Sequence, residues 1–258
     1  MAQKKKTKAM VVSQEKLADG IYDLRLETEL AQDAACGQFV GVYPKDKSTL
    51  LPRPISICEI DKEKNQLRLV YRVAGKGTAE FSNLKTGDSV YLLGVLGNGF
   101  PVDKAKPGTK AMLFGGGIGV PPILQLSKEL SCEKQIVVGY RNAQCFLKED
   151  FEQNGAVYVA TEDGSVGTKG NVMDAVAANG LEADIIYACG PMPMLRAIRQ
   201  YAIEHDIPAY ISLEERMACG VGCLGCVCKT THKDAHSHVN NARICTDGPV
   251  FEAREVEI

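Results

Sequence analysis

The sequence predicts an antiparallel β barrel, then a doubly wound α/β domain with a parallel sheet, then a short cysteine-rich tail. Three observations carry that expectation. Up to about residue 103, short runs rich in Val, Ile, Leu and Tyr are broken by Gly, Asp, Lys and Pro, the punctuation of closely spaced strands. After residue 108, nearly continuous apolar runs alternate with helical stretches, the pattern of parallel strands buried on both faces. Five of the ten cysteines fall beyond residue 218, in a glycine-rich stretch too small to enclose its own core. We expect divisions at 1–103, 104–213 and 214–258.

The N-terminal runs are AMVVSQE, IYDLRLETE, QFVGVYP, PISICEI, QLRLVYRV and DSVYLLGVL. Several alternate with period two, and six at this spacing suggest a closed or nearly closed barrel. One short helix is expected at TAEFSNL. Beyond them, KAMLF, QIVVGY, VYVAT and DIIYACG predict parallel strands, with AYISLEE as the last. PPILQLSKEL, NVMDAVAAN and PMPMLRAIRQYAIEH predict the helices between them. Ligands of such a sheet bind at the carboxyl ends of its strands.

At 258 residues the chain has room for two ordinary domains. Its 45% hydrophobic and 24% charged residues are those of a soluble globular protein. A formal net charge of -2 gives no basic field for nucleic acid. No segment approaches the ~20 apolar residues that cross a bilayer, so no membrane partner is expected. MAQKKKTKAM runs into VVSQEKLADG rather than an apolar stretch, unlike a secretory signal. A cytoplasmic location is therefore expected, and there ten cysteines would not form a disulfide framework. Cys36, Cys58, Cys132, Cys145 and Cys189 are scattered, mostly in apolar surroundings, as small buried residues are.

Four stretches carry candidate chemistry. Arg53-Pro54-Ile55-Ser56 is followed by Leu69-Val70-Tyr71 and Gly75-Lys76-Gly77-Thr78. Alone, RPIS is equally a strand start with an edge proline. GKGT offers backbone N–H groups and a helix start to an anion. It is not a Walker loop, which needs G-x-x-x-x-G-K-[ST] after a parallel strand. Gly115-Gly116-Gly117-Ile118-Gly119-Val120-Pro121-Pro122 links KAMLF to a helix. The G-x-G-x-x-G fingerprint fails at Val120, yet small residues after a buried strand admit a pyrophosphate and proline suits a helix start. A turn serving packing alone is the alternative. Cys189-Gly190-Pro191 ends DIIYA, where a ligand's reactive ring would lie. The alternative there is a buried cysteine before a helix-starting proline. Finally, MACGVGCLGCVC at 217–228 holds Cys219, Cys223, Cys226 and Cys228, with Cys245 further on. Iron–sulfur clusters, zinc and redox disulfides all use crowded cysteines; His232, His236 and His238 keep zinc open.

In order and spacing the first three stretches resemble the ferredoxin–NADP reductase superfamily, over residues from about 8 to 210. That resemblance implies a flavin held by Arg53, Pro54, Ile55 and Ser56 beside Leu69, Val70 and Tyr71. It implies FAD pyrophosphate at Gly75, Lys76, Gly77 and Thr78. A nicotinamide dinucleotide would lie at Gly115, Gly116, Gly117 and Gly119 with Cys189, Gly190 and Pro191. ERMACGVG, CVC and ICTDGPVF extend the likeness over essentially the whole chain. There the chain is similar to the electron-transfer subunit of NAD-dependent (class 1B) dihydroorotate dehydrogenase.

This second resemblance implies Cys219, Cys223, Cys226 and Cys245 as ligands of a [2Fe–2S] cluster. The family's spacing is C-x4-C-x2-C and this chain reads C-x3-C-x2-C, which leaves Cys228 as the alternative to Cys223. The implied function is an electron relay in pyrimidine biosynthesis. Electrons would pass from an FMN-containing dihydroorotate dehydrogenase catalytic subunit through [2Fe–2S] and FAD to NAD, in a heterotetramer with two of each subunit. No catalytic residue is implied on this chain. A substrate-oxidising barrel takes about 250 residues by itself, so that chemistry is expected on the partner. The alternatives are a subunit of another NAD(P)H-linked enzyme, such as a ferredoxin–NADP reductase or sulfide dehydrogenase, and a zinc-stabilised interaction module.

Overall fold

The computed structural model describes residues 5–215, 217, 220, 227–231 and 240–258. The first six strands are β1 (Lys5–Ala18), β2 (Ile21–Glu27), β3 (Phe39–Tyr43), β4 (Arg53–Asp61), β5 (Gln66–Arg72) and β6 (Ser89–Leu96). They close a barrel in the order β1-β2-β5-β4-β3-β6, as the period-two runs predict, and all pairings are antiparallel. Alternate residues such as Leu24, Leu26, Leu67, Leu69 and Leu92 fill its interior. Helix α1 (Lys76–Phe81) sets Phe81 edge-on to Tyr71, ring centroids 6.1 Å apart. It begins before the expected TAEFSNL because the Thr78 hydroxyl gathers the turn that leads into it, accepting from the Ala74 and Gly75 N–H groups at 2.8 and 3.1 Å.

The α/β domain supplies β7 (Lys110–Gly116), β8 (Glu133–Tyr140), β9 (Ala156–Thr161), β10 (Thr168–Lys169), β11 (Ile185–Cys189) and β12 (Ala209–Ser212). The tail adds β13 (Val227–Thr230), β14 (Asn241–Arg243), β15 (Val250–Glu252) and β16 (Val256–Glu257). The large sheet runs β10-β9-β8-β7-β11-β12-β15; all its pairings are parallel except the last. Helices α2 (Pro121–Glu129) and α3 (Lys148–Glu152) cover one face, and α4 (Val172–Asn179) and α5 (Met192–Glu204) the other. Alternation divides each strand between the two layers: Ala111 and Leu113 pack with Ile123 and Leu126, whereas Met112 and Phe114 pack with Val176 and Leu195. Asn171 caps α4 by accepting from Met173 N and Asp174 N, and Gly180 ends it in the left-handed region.

Helix α3, strand β10 and the four tail strands were not visible in the sequence pattern. Helix α3 is a single turn, too short to show a 3.6 period. Strand β15 returns antiparallel along β12, so the outermost strand of the sheet comes from the tail rather than from AYISLEE. The tail's Ile244, Phe251, Ala253 and Val256 are buried in the same core as α4 and α5. Barrel and sheet share a core too, since Ile21, Cys58 and Val70 are buried with Leu113, Ile136 and Leu126. Among the described residues no helix is long and apolar enough to cross a membrane.

Candidate functional site

A cleft of about 240 Å³ opens where the barrel, the carboxyl edge of the sheet and the tail meet. The barrel contributes Arg53, Pro54, Ile55 and Ser56 from β4, Val70, Tyr71 and Arg72 from β5, and Thr78 from α1. The sheet contributes Ile118 and residues 212–215, and the tail Met217 and Pro249. Leu69 is absent from this wall because strand alternation turns it into the barrel interior, fully buried. Arg72, which the sequence reading did not single out, takes a place there. Gly75, Lys76 and Gly77 form the turn entering α1 and lie outside the lining.

That turn nonetheless presents backbone donors. Besides accepting two N–H bonds, the Thr78 hydroxyl donates to Gly75 O at 3.1 Å, so its capacity is spent on the turn itself. The first-turn N–H groups of Lys76, Gly77 and Thr78 have no acceptor within the helix. A Cβ on Gly77 would lie 2.8 Å from Arg53 Nε; glycine there lets the guanidinium lie over the turn. Arg53 also donates from Nη1 to Leu51 O at 2.7 Å. Tyr71 is packed between Tyr22 and Phe81 and donates its hydroxyl to Gln14 Oε1 at 3.0 Å. Burial holds its phenol above the usual range, so Tyr71 offers the cleft a neutral edge.

The two glycine turns at the sheet edge press backbone on backbone. β7 and β11 are neighbours, with Gly115 level with Cys189. A Cβ on Gly119 would lie 2.4 Å from Cys189 O, one on Gly116 2.9 Å from Pro191 Cδ, and one on Gly190 2.4 Å from Met194 Cε. One on Gly115 would lie 2.9 Å from Val120 Cα. Packing alone requires glycine at 115, 116 and 119, whereas at Gly190 the neighbour is the flexible end of Met194, which can yield. Gly117 differs: its φ is +53° and a Cβ there would meet nothing within 4 Å. The Cys189 thiol is buried, and that burial, with Glu214 nearby, pushes it up against a hydrogen bond with Ser212 that lowers it. It stays a neutral thiol and is no nucleophile. Glu214 is raised as well, by the cleft walls and against Arg72. The position of LEE at the end of the last parallel strand was the signal that could have found it.

Cys219, Cys223 and Cys226, like His232, His236 and His238, lie outside the described residues. Cys245 is fully buried against Phe39 and Leu96, with Leu93 and Met217 packed around them. Gly220, at φ +66°, rests on the same floor, a Cβ there falling 3.3 Å from Leu96 Cδ1 and 4.0 Å from Leu93 Cδ2. So Cys245 shares its pocket with the residue next to Cys219. Phe39 and Met217 line both this pocket and the cleft. Cys228 faces elsewhere: level with Ala242 on β14, it donates its thiol to Ala242 O at 3.7 Å and packs on the sheet core.

Residues 113–200 match the oxidoreductase NAD-binding domain, and residues 214–257 the iron–sulfur cluster binding domain of dihydroorotate dehydrogenase B. Over 250 residues, 95% of either chain, the sequence is 46% identical to the dihydroorotate dehydrogenase B (NAD(+)) electron transfer subunit of Lysinibacillus sphaericus (strain C3-41). This chain belongs to that family of electron transfer subunits. The Bacillus caldolyticus member is 45% identical over 253 residues, 95% of this chain and 96% of its own. Among solved structures, an NADH-dependent reduced ferredoxin-NADP oxidoreductase superposes with a TM-score of 0.85 at 27% identity, over 100% of this chain and 91% of its own. A ferredoxin NADP+ reductase from Neisseria gonorrhoeae with bound FAD and NADP shares the fold at a TM-score of 0.66 and 14% identity, over 83% and 95% of the two chains. Higher identity over nearly full length favours the electron transfer subunits over a subunit of another NAD(P)H-linked enzyme.

Proposed function

We propose that this subunit takes electrons from a partner that oxidises dihydroorotate and passes them through a [2Fe–2S] cluster and FAD to NAD+. The observation that carries the reading is the shared wall of Phe39 and Met217, which joins the Cys245 pocket to the cleft. When bound, FAD supplies the exchange between single electrons and the hydride pair that nicotinamide requires. The barrel, 1–103, would hold FAD, the α/β domain, 104–213, would hold NAD, and 214–258 the cluster, with β15 anchored in the sheet. Arg53 and the N–H groups of Lys76, Gly77 and Thr78 suit the pyrophosphate, one by charge and the others by donors without acceptors in the helix. Pro54, Ile55, Ser56, Val70, Tyr71 and Arg72 border the space for the flavin ring. Leu69 supports that wall from inside. Gly117 leaves room for the dinucleotide, and the packed glycines with Cys189 and Pro191 keep the two turns in place. Cys219, Cys223, Cys226 and Cys245 would hold the cluster, with soft thiolates suited to iron.

The partner is taken to be the FMN-containing catalytic subunit, two copies of each in a cytoplasmic heterotetramer. Co-expression with that subunit tests the whole relay. Dihydroorotate-dependent NADH formation is expected only when both chains are present, and activity without this chain would overturn the reading. Heat-released flavin is expected to run as FAD on chromatography, because a pyrophosphate turn has no use in a mononucleotide site. FMN would sink that assignment.

NAD is expected over NADP in diaphorase assays. Beyond β8 the sequence offers Arg141 and Lys148 but then Glu149 and Asp150, whereas a 2′-phosphate calls for clustered positive charge; Asp150 itself is bound to Arg68 at 2.9 Å. Glu162 and Asp163, just beyond β9, donate their backbone N–H groups to Tyr140 O and Arg141 O, which brings two further acidic residues to the turn after β8. A preference for NADPH would reverse the assignment.

A further inference from the structure

Strands β4 and β5 bring Arg53–Ser56 and Val70–Arg72 to the cleft, and further along they carry a second cluster that the function above does not use. Arg68 lies about 13 Å along β5 from Arg72. Its side chain is 7% exposed, and all three guanidinium nitrogens bind carboxylates. Nε and Nη2 bind Asp23 Oδ2 at 2.9 and 2.8 Å, and Nη1 donates to Glu59 Oε2 at 3.2 Å and to Asp150 Oδ1 at 2.9 Å. The other oxygen of Glu59 takes Lys128 Nζ at 3.0 Å. Asp23, Glu59 and Arg68 belong to the barrel, whereas Lys128 on α2 and Asp150 on α3 belong to the α/β domain. Two ion pairs therefore cross the seam between the domains. Beside them Ile60 N donates to Gln125 Oε1 at 2.8 Å, a third link across it.

The charges do not balance. Three carboxylates share two cations, and Asp23 Oδ1 is buried with no hydrogen-bond partner among the described residues. A buried ion network of this kind adds little stability over an apolar contact of equal volume. It does impose one geometry, because a guanidinium satisfies three carboxylates only when all are in place. Hydride transfer is sensitive to that geometry, since the reacting atoms must come within ~3–3.5 Å and a displacement of about 1 Å costs on the order of a hundredfold. The cleft itself is walled by both domains, Tyr71 and Arg72 from one and Ile118 from the other.

We propose that the Arg68 cluster is an ionic clamp that fixes the α/β domain against the barrel, making Asp150 and Lys128 positioning residues for hydride transfer between nicotinamide and flavin. The proposal rests on FAD in the barrel and NAD in the α/β domain. Asp150→Asn tests it, because the side chain is 37% exposed, the amide keeps its shape, and the Asp23–Arg68 and Glu59–Lys128 pairs survive. Arg68→Met is unsuitable, since it would leave the buried Asp23 and its neighbours without their cation.

Two readouts on the FAD-loaded subunit decide the matter. Exchange of the Ile60 amide, which reports the seam without any turnover, is expected to quicken about tenfold in Asp150→Asn. Flavin bleaching by saturating NADH in a single turnover is expected to slow by about tenfold, with half-saturation and flavin content little changed. Half-molar salt should bring wild type toward the same values and move the variant less, because partly exposed pairs are screened. A variant that melts lower yet keeps the wild-type exchange and bleaching rates would reduce the clamp to a structural contact and overturn the proposal. Failure of NADH to bleach the wild-type flavin would instead overturn the assignment of the cofactors.

Discussion

Replacing Cys245 by serine is expected to strip the subunit of its iron–sulfur signal and stop electron transfer from the partner, while replacing Cys228 is expected to leave both intact. Serine presents a hard, rarely deprotonated oxygen where iron binds a soft thiolate. Cys245 is fully buried against Phe39 and Leu96, the same Leu96 on which Gly220 rests. Cys228 has a different occupation, its thiol donating to Ala242 O from within β13. A donor thiol keeps its proton, and a ligand has lost it. Cys219→Ser and Cys226→Ser are expected to behave as Cys245→Ser does. NADH-dependent dye reduction should survive in part in all of them, because the barrel and the sheet have cores of their own. Iron content and electron paramagnetic resonance on the Cys223→Ser and Cys228→Ser pair test the shortened spacing. A Cys228→Ser protein without the signal, next to a Cys223→Ser protein that keeps it, would exchange the two assignments.

The fold was legible wherever a residue's role is local. Period-two runs gave the six barrel strands, and continuous apolar runs gave the parallel sheet, because side-chain alternation and two-sided burial leave their mark in a few residues. The turns of the candidate site were legible for the same reason: GKGT, GGGIG and CGP are each a local turn signal, and each falls at the end of a strand or the start of a helix. What the sequence hid depends on what lies opposite. Nothing in QLRLVYR tells that Leu69 faces the barrel interior while Val70 and Arg72 reach outward toward the sheet. VFE is too short to register as a strand until β12 lies beside it. Asp23, Glu59, Arg68, Lys128 and Asp150 read as scattered surface charges and meet only when two domains close on each other.

The two glycine roles at the sheet edge separate by substitution, and the effects should be large and different in kind. A Cβ on Gly119 would fall 2.4 Å from Cys189 O, 2.5 Å from its carbonyl carbon and 2.6 Å from Gly190 Cα. All three are backbone atoms, so no flexible side chain can yield and the turns after β7 and β11 must part. Overpacking of that sort costs up to about 3 kcal/mol, which in a chain of this size lowers the melting midpoint by roughly 6–12 °C. If both turns border the dinucleotide as proposed, Gly119→Ala should also lose most NADH-dependent reduction, with FAD retained. Gly117→Ala meets no neighbour. It costs only the ~1–2 kcal/mol of an alanine held in the left-handed region, but its methyl group stands in the open space left for the ligand. There the half-saturating NADH concentration should rise while flavin content and the iron signal stay as they were. Thermal melts and NADH titrations on the two variants distinguish the roles. Equal melting losses with no change in NADH affinity would mean that Gly117, too, serves the fold and not the ligand.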